Sequence, residues 1–200
     1  PAVSGSFVVV TYSSGEVYAL RADNGRVIWA DTLAFASRLG SLAALNDING
    51  SPVVDRGLVF AVSHSGRLVA IDLASGGRVW EREITGVQTP WVAGDYLYVV
   101  TIDGLVVCLL REDGRIRWVS PLPTFEDMED RDDPILWFGP ILVGDRLLVA
   151  GTDGTAAALS PYTGDVLGMV DLGDNLPMSP ISAQNTVFFI EDSGELIALR

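Results

Sequence analysis

Few residues in this chain have the type and spacing that chemistry needs. The stretch GRLVAIDLASGGRVWEREI, residues 66–84, contains Ala70-x-Asp72-x-x-x-Gly76-x-x-x-Trp80, a carboxylate and an indole at a fixed separation. Such a pattern can serve chemistry or packing, and the sister copies favour packing: Gly76 and Trp80 recur in most of them, while the Asp72 position is Arg21, Leu110 and Ser160 elsewhere. Six acids between Glu126 and Asp133 could gather a cation or a basic partner, although a solvated acidic loop is the simpler reading. His64 is the one imidazole, in the turn Ser63–Gly66. It has no nucleophile motif nearby and no second histidine for a metal, so it reads as an exposed turn residue. Cys108, the one cysteine, takes the place held by Ala19, Ala70 and Ala158 in other copies and reads as a small core residue. Asp23, Asp113 and Asp153 stand at turn glycines, where aspartate tolerates the turn geometry. No Gly-x-Ser-x-Gly elbow, His-Glu-x-x-His or phosphate-binding loop occurs. The sequence therefore assigns no catalytic residue, no metal ligand and no cofactor.

Whatever these side chains do, the rest of the chain must position them. Its 200 residues are 48% hydrophobic and 20% charged, with 21 glycines and 10 prolines, which suits a folded chain with a substantial core. No apolar run approaches the roughly eighteen residues that cross a bilayer as a helix. The 26 acids against 13 Lys plus Arg give a formal charge of −13, which repels phosphate backbones and argues against a nucleic-acid partner. A single cysteine permits neither an intrachain disulfide nor a cysteine-based zinc site. The chain opens on Pro1 without an initiator Met and reads as a mature product or a fragment.

Self-similarity decides the fold. Turn glycines fall at Gly15, Gly66, Gly104, Gly154 and Gly194, and fourteen residues before each stands Pro1, Pro52, Pro90, Pro140 or Pro180. Ten residues after the first four come Gly25, Gly76, Gly114 and Gly164, and four residues later Trp29, Trp80, Trp118 and, in the fourth copy, Gly168. Short segments rich in Val, Ile, Leu, Tyr and Phe flank each turn glycine, the signature of a hairpin. A further strand follows each proline, whose missing N–H suits the start of a strand, and another carries the tryptophan. Four antiparallel strands per copy without helical crossovers predict an all-β protein, a β-propeller of four-stranded antiparallel blades starting near 1, 52, 90, 140 and 180. Residues 1–200 then form a single partial propeller domain, about four and three-quarter blades of a ring of seven or eight. Its closure calls for further strands from an N-terminal half.

Trp29, Trp80 and Trp118 are the expected blade anchors, each burying roughly 150–250 Å² between neighbouring blades, on the order of 4–6 kcal/mol of gross hydrophobic stabilisation. Gly168 leaves the fourth contact to Met169 or a neighbour, or leaves it looser. Function is expected where the repeat breaks. Between tryptophan position and next proline lie residues 30–51, 81–89, 119–139 and 169–179, so that the first and third connections are about twice as long as the others. Strand direction puts these connections on the face of the Gly15-type turns. In the first long loop Phe35, Leu39, Leu42 and Leu45 have helix-like spacing; they either pack the loop onto its own blade or form an apolar docking patch beside Asp47. In the second, the apolar tail Ile135, Leu136, Trp137 and Phe138 is expected to plug the blade top.

Taken with LNDINGSPVV (45–54) and the ending SGELIALR, the 66–84 stretch resembles the quinoprotein-type propeller repeat, and within it the family of lipoprotein propellers that serve outer-membrane β-barrel assembly. The resemblance covers the whole chain. It implies an eight-bladed ring closed by an N-terminal strand, of which this chain is the C-terminal half. It also implies a non-enzymatic scaffold at the periplasmic face of the outer membrane, lipid-anchored in the full-length protein. Its partner would be the periplasmic domains of the barrel-inserting assembly protein, with nascent outer-membrane proteins as further ligands. A family contact loop of the form Arg-Leu-x-Asp-x-Asp matches Ala44 to Asn49, keeping Leu45 and Asp47 and departing at Ala44 and Asn49. The apolar patch and the resemblance together put the expected partner binding at Leu42, Leu45, Asp47 and Asn49. Two rival readings are a fragment of a pyrroloquinoline-quinone-dependent dehydrogenase and an extracellular sensor propeller. The first would need a calcium site at the blade centres, where the strands are apolar.

Overall fold

The structure is a computed structural model that describes residues 1–33, 50–127, 130 and 132–200. The first sheet is β1 (Ala2–Ser4), β2 (Phe7–Thr11), β3 (Glu16–Arg21) and β4 (Val27–Thr32), hydrogen-bonded in chain order. The second is β5 (Val53–Asp55), β6 (Leu58–Val62), β7 (Arg67–Asp72) and β8 (Arg78–Glu83). The third is β9 (Trp91–Ala93), β10 (Tyr96–Val100), β11 (Leu105–Leu110) and β12 (Ile116–Pro121). A two-stranded hairpin, β13 (Phe125–Asp127) and β14 (Asp132–Pro134), precedes the fourth sheet, β15 (Trp137–Val143), β16 (Arg146–Gly151), β17 (Thr155–Leu159) and β18 (Val166–Asp171). A three-stranded sheet ends the order: β19 (Ile181–Ala183), β20 (Thr186–Ile190) and β21 (Leu196–Leu199). Among the described residues there is no helix, and none long and apolar enough to cross a membrane. The meander of antiparallel four-stranded sheets is that of β-propeller blades.

The residues gather into two compact units: Pro1–Asp95 with Leu110–Arg115, and Tyr96–Leu109 with Ile116–Arg200. In the first unit Val9, Val17, Ala19, Trp29 and Leu33 of one blade pack against Val59, Ala61, Val69, Ile71 and Leu73 of the next. The core therefore lies between sheets, built by the alternate residues that each strand turns to one side. Trp29 sends its Nε1–H to the Leu73 carbonyl at 2.8 Å, and Trp80 sends its own to the Arg111 carbonyl at 2.9 Å. In the second unit Trp118 makes the equivalent bond to the Pro161 carbonyl at 3.2 Å. Each acceptor lies three residues before a turn glycine, Gly76, Gly114 or Gly164, so one register repeats three times.

A register shift between the third and fourth strands recurs beside the anchor position in the blades, at Ala19/Leu20, Ala70/Ile71, Cys108/Leu109 and Ala158/Leu159. The extra residue increases local twist, as β-bulges do. The residues paired with the anchors are small: Ala19 faces Trp29, Ala70 faces Trp80, Cys108 faces Trp118 and Ala158 faces Gly168. Cys108 is fully buried, and burial pushes its thiol pKa up to about 12, offset in part by Arg117 and by a hydrogen bond with Tyr98.

Three sequence expectations change. β15 begins at Trp137, upstream of Pro140, because a register shift between Phe138 and Ile141 takes Gly139 and Pro140 out of the ladder, where a missing N–H costs nothing. The acidic segment is exposed at its described acids, as expected, but it includes a hairpin, with Phe125 opposite Pro134 and Asp127 opposite Asp132. His64 is half-buried, not exposed. At Gly168 no atom lies within 4 Å of where a β-carbon would be. An open cavity of about 430 Å³ extends from there past Met169 to Phe189.

Candidate functional site

Asp72, the carboxylate that opened the question of chemistry, caps its own turn. Its Oδ1 accepts the backbone N–H of Ser75 at 2.8 Å and the Ser75 hydroxyl at 2.6 Å. Those two bonds hold its carboxyl below the usual aspartate range. Gly76 faces backward to the preceding blade and Trp80 forward to the following turn, so the 66–84 stretch is a docking unit in both directions. Asp113 and Asp153 act alike, accepting the backbone N–H of Arg115 at 3.0 Å and of Thr155 at 3.1 Å. Among the described residues no three His, Cys, Asp or Glu side chains converge where a metal ion could sit.

The repeat-breaking loops remain. Leu42, Leu45, Asp47 and Asn49, with the helix-like spacing from Phe35, lie outside the described residues; their stems do not. On one side Leu33 is fully buried, donates its N–H to the Gly15 carbonyl at 2.7 Å and accepts the Ser65 hydroxyl at 3.2 Å. On the other, the Gly50 carbonyl accepts the Thr11 hydroxyl at 3.4 Å, and Ser51 donates its N–H to Thr89 Oγ1 at 3.0 Å. A β-carbon on Gly50 would stand 2.5 Å from the Gln88 carbonyl oxygen, so the return stem requires glycine. Both stems are thereby fixed, the first to its own blade's turn at Gly15 and the second to Thr11 and Thr89 on either side.

The second long loop, in the other unit, leaves its blade at Leu122, whose N–H reaches the Gly104 carbonyl at 2.8 Å. Trp137 and Ile135 plug the blade top as the sequence suggests, each 5% exposed, whereas Leu136 points outward at 53%. The Trp137 indole N–H donates to the Pro123 carbonyl at 2.7 Å, and Ile135 N–H to the Thr124 carbonyl at 2.9 Å. The loop is thus cross-braced beneath its acidic hairpin.

One repeat position escaped the sequence reading. Four residues beyond each anchor position stand Leu33, Ile84, Leu122 and Leu172, all apolar. Three of them bond the turn glycine of their own blade, Leu172 reaching Gly154 at 3.0 Å. The signal that would have found them was the same four-residue offset that marks the tryptophans.

Comparison with known proteins adds the relationship. The family model described as outer membrane protein assembly factor BamB matches residues 1–120. The BamB of Alkalilimnicola ehrlichii is 26% identical over 201 residues, covering 100% of this chain and 50% of that protein. The BamB of Salmonella typhimurium is 32% identical over 147 residues, 72% of this chain and 36% of that protein. The chain thus spans about half the length, or less, of the curated relatives it matches. The crystal structure of BamB from Moraxella catarrhalis superposes with a TM-score of 0.82 at 21% identity, over 98% of this chain and 56% of that one.

Proposed function

The chain belongs to the outer membrane protein assembly factor BamB family, and on that premise we propose that it is a non-enzymatic scaffold of outer-membrane β-barrel assembly, working at the periplasmic face of the outer membrane in a lipid-anchored whole protein. It binds the periplasmic domains of the barrel-inserting subunit through loops on one face, with nascent outer-membrane proteins as further ligands. Leu42, Leu45, Asp47 and Asn49 carry the contact, the leucines supplying apolar area and the two polar side chains the register. The observation that supports this reading is the clamping of the 34–49 loop by Leu33 and Gly50 on a packed two-blade unit, since binding loops on rigid stems lose less entropy on association. The remaining blades serve as structure, with Trp29, Trp80 and Trp118 as anchors.

The test is capture of the purified barrel-inserting subunit by the whole protein carrying Asp47→Arg or Leu45→Ala. Loss of capture with an unchanged thermal midpoint is the expected result, and undiminished capture by both variants removes this loop from the interface.

A further inference from the structure

Beneath the acidic hairpin lies a cavity of about 370 Å³ that the assembly reading does not use. Its apolar walls include Phe125, Trp137 and Met169, and its polar groups are Glu126, Asp153 and Thr155. Among the described residues no lysine or arginine lines it. We propose that this cavity is a docking socket for a basic, apolar-flanked segment of a partner protein, seating one arginine or lysine side chain. This inference does not depend on the proposed function of the other loop.

Three observations favour that occupant. An arginine or lysine has an apolar stem and a charged head, which matches a cavity with aromatic and thioether walls and two carboxylates. Aromatic faces attract a cation, and a charge-assisted bond to carboxylate is stronger than a neutral one. Asp153 is already oriented for this, with Oδ1 accepting the Thr155 N–H at 3.1 Å and Oδ2 the Thr155 hydroxyl at 2.8 Å, while a carboxylate's remaining lone pairs stay available. Glu126 has no cationic partner among the described residues. The chain's formal charge of −13 selects against nucleic acid and draws basic protein segments at long range.

The experiment uses the whole protein and a fluorescein-labelled hexapeptide of alternating arginine and leucine, read by anisotropy at low salt, with a glutamate–leucine hexapeptide as control. Binding of the basic peptide is expected to weaken at least about tenfold both in the Glu126→Gln, Asp153→Asn double variant, which keeps the Thr155 bonds, and in Met169→Trp, which fills the cavity from an exposed strand. Circular dichroism melts confirm that both variants are folded, and each is sufficient without the other. Equal affinity in both variants overturns the proposal, as does binding of the acidic peptide. Spermidine displacing the peptide at equal concentration would show a free polyamine site and overturn the protein partner. Loss of binding on Asp127→Asn and Asp132→Asn with full binding by Met169→Trp would reduce the effect to diffuse attraction by the hairpin and also overturn it.

Discussion

The indole of Trp29 occupies the space that a side chain on Gly76 would need: a β-carbon there would fall 2.6 Å from the Trp29 Cγ. Gly114 and Trp80 repeat the relationship at 2.7 Å, and Gly164 and Trp118 at 2.6 Å. Each of these glycines also has a positive φ, between 67° and 80°, so position and conformation demand the same residue.

Gly76→Ala therefore combines backbone strain with overpacking and is expected to destabilise the protein by about 2–5 kcal/mol. Gly57, at φ 80° with nothing within 4 Å, isolates the first component, and Gly57→Ala should cost only about 1–2 kcal/mol. Urea denaturation midpoints of the two variants measure the difference. Equal losses would show that the indole yields.

Trp80→Phe retains an aromatic ring but strands the Arg111 carbonyl, and should cost about 1–2 kcal/mol; Trp80→Ala also opens the blade contact and should cost about 3–5 kcal/mol. Thermal melts distinguish the two. An alanine variant no weaker than the phenylalanine one would remove the blade anchor from the explanation.

Gly168 is the opposite case. Its backbone is not left-handed and the space about it is open, so Gly168→Ala should stabilise the protein by about 0.5–1 kcal/mol through the unfolded chain. A lower urea midpoint would reveal a contact at this position that the geometry does not contain.

The Cys108 thiol gives a pH signature. Its folded pKa is raised from 9.0 to about 12, so the unfolded chain releases the proton first as pH rises. This contribution to stability is complete below pH 9 and is lost between about 9 and 12. Cys108→Ala, matching the sister copies, should flatten stability against pH in that window. In the folded wild type, a thiol reagent at pH 8 should react only at the rate of opening.

Gly50→Ala tests the loop stem. With the Gln88 carbonyl in its path, the substitution should displace the 34–49 loop and lower capture of the barrel-inserting subunit more than it lowers the melting midpoint. A proportional loss of both would mean that the stem serves the fold alone.

Most of the fold was legible because its marks are steric: proline where a strand starts, glycine where φ turns positive, tryptophan where blades meet. The hairpin β13–β14 was hidden because Glu126, Asp127 and Asp132 have poor strand preference, so its pairing rests on backbone bonds that composition does not advertise. The early start of β15 was hidden behind Pro140, which sits in a bulge instead of at the strand's beginning. The candidate contact residues were reached by subtraction, as the part of a repeat that does not repeat, and by resemblance to a family loop. No periodic force constrains such residues, so sequence alone leaves their arrangement open. The cavity at Trp137 was missed for another reason: Asp153 and Met169 are neighbours only through the sheet, sixteen positions apart in the chain.

The bonds from Leu33, Leu122 and Leu172 to the turn glycines of their own blades bear on evolvability. Each fixes the point of departure of a connection before any of its variable residues begin, so an insertion is not transmitted to the sheet that launches it. Closure entropy grows only slowly with length, about 0.6 kcal/mol for each doubling. Foreign peptides spliced between Asp127 and Asp132, beyond the braces at Pro123 and Thr124, should thus be carried as cargo by an unaltered blade, making this edge a natural display platform.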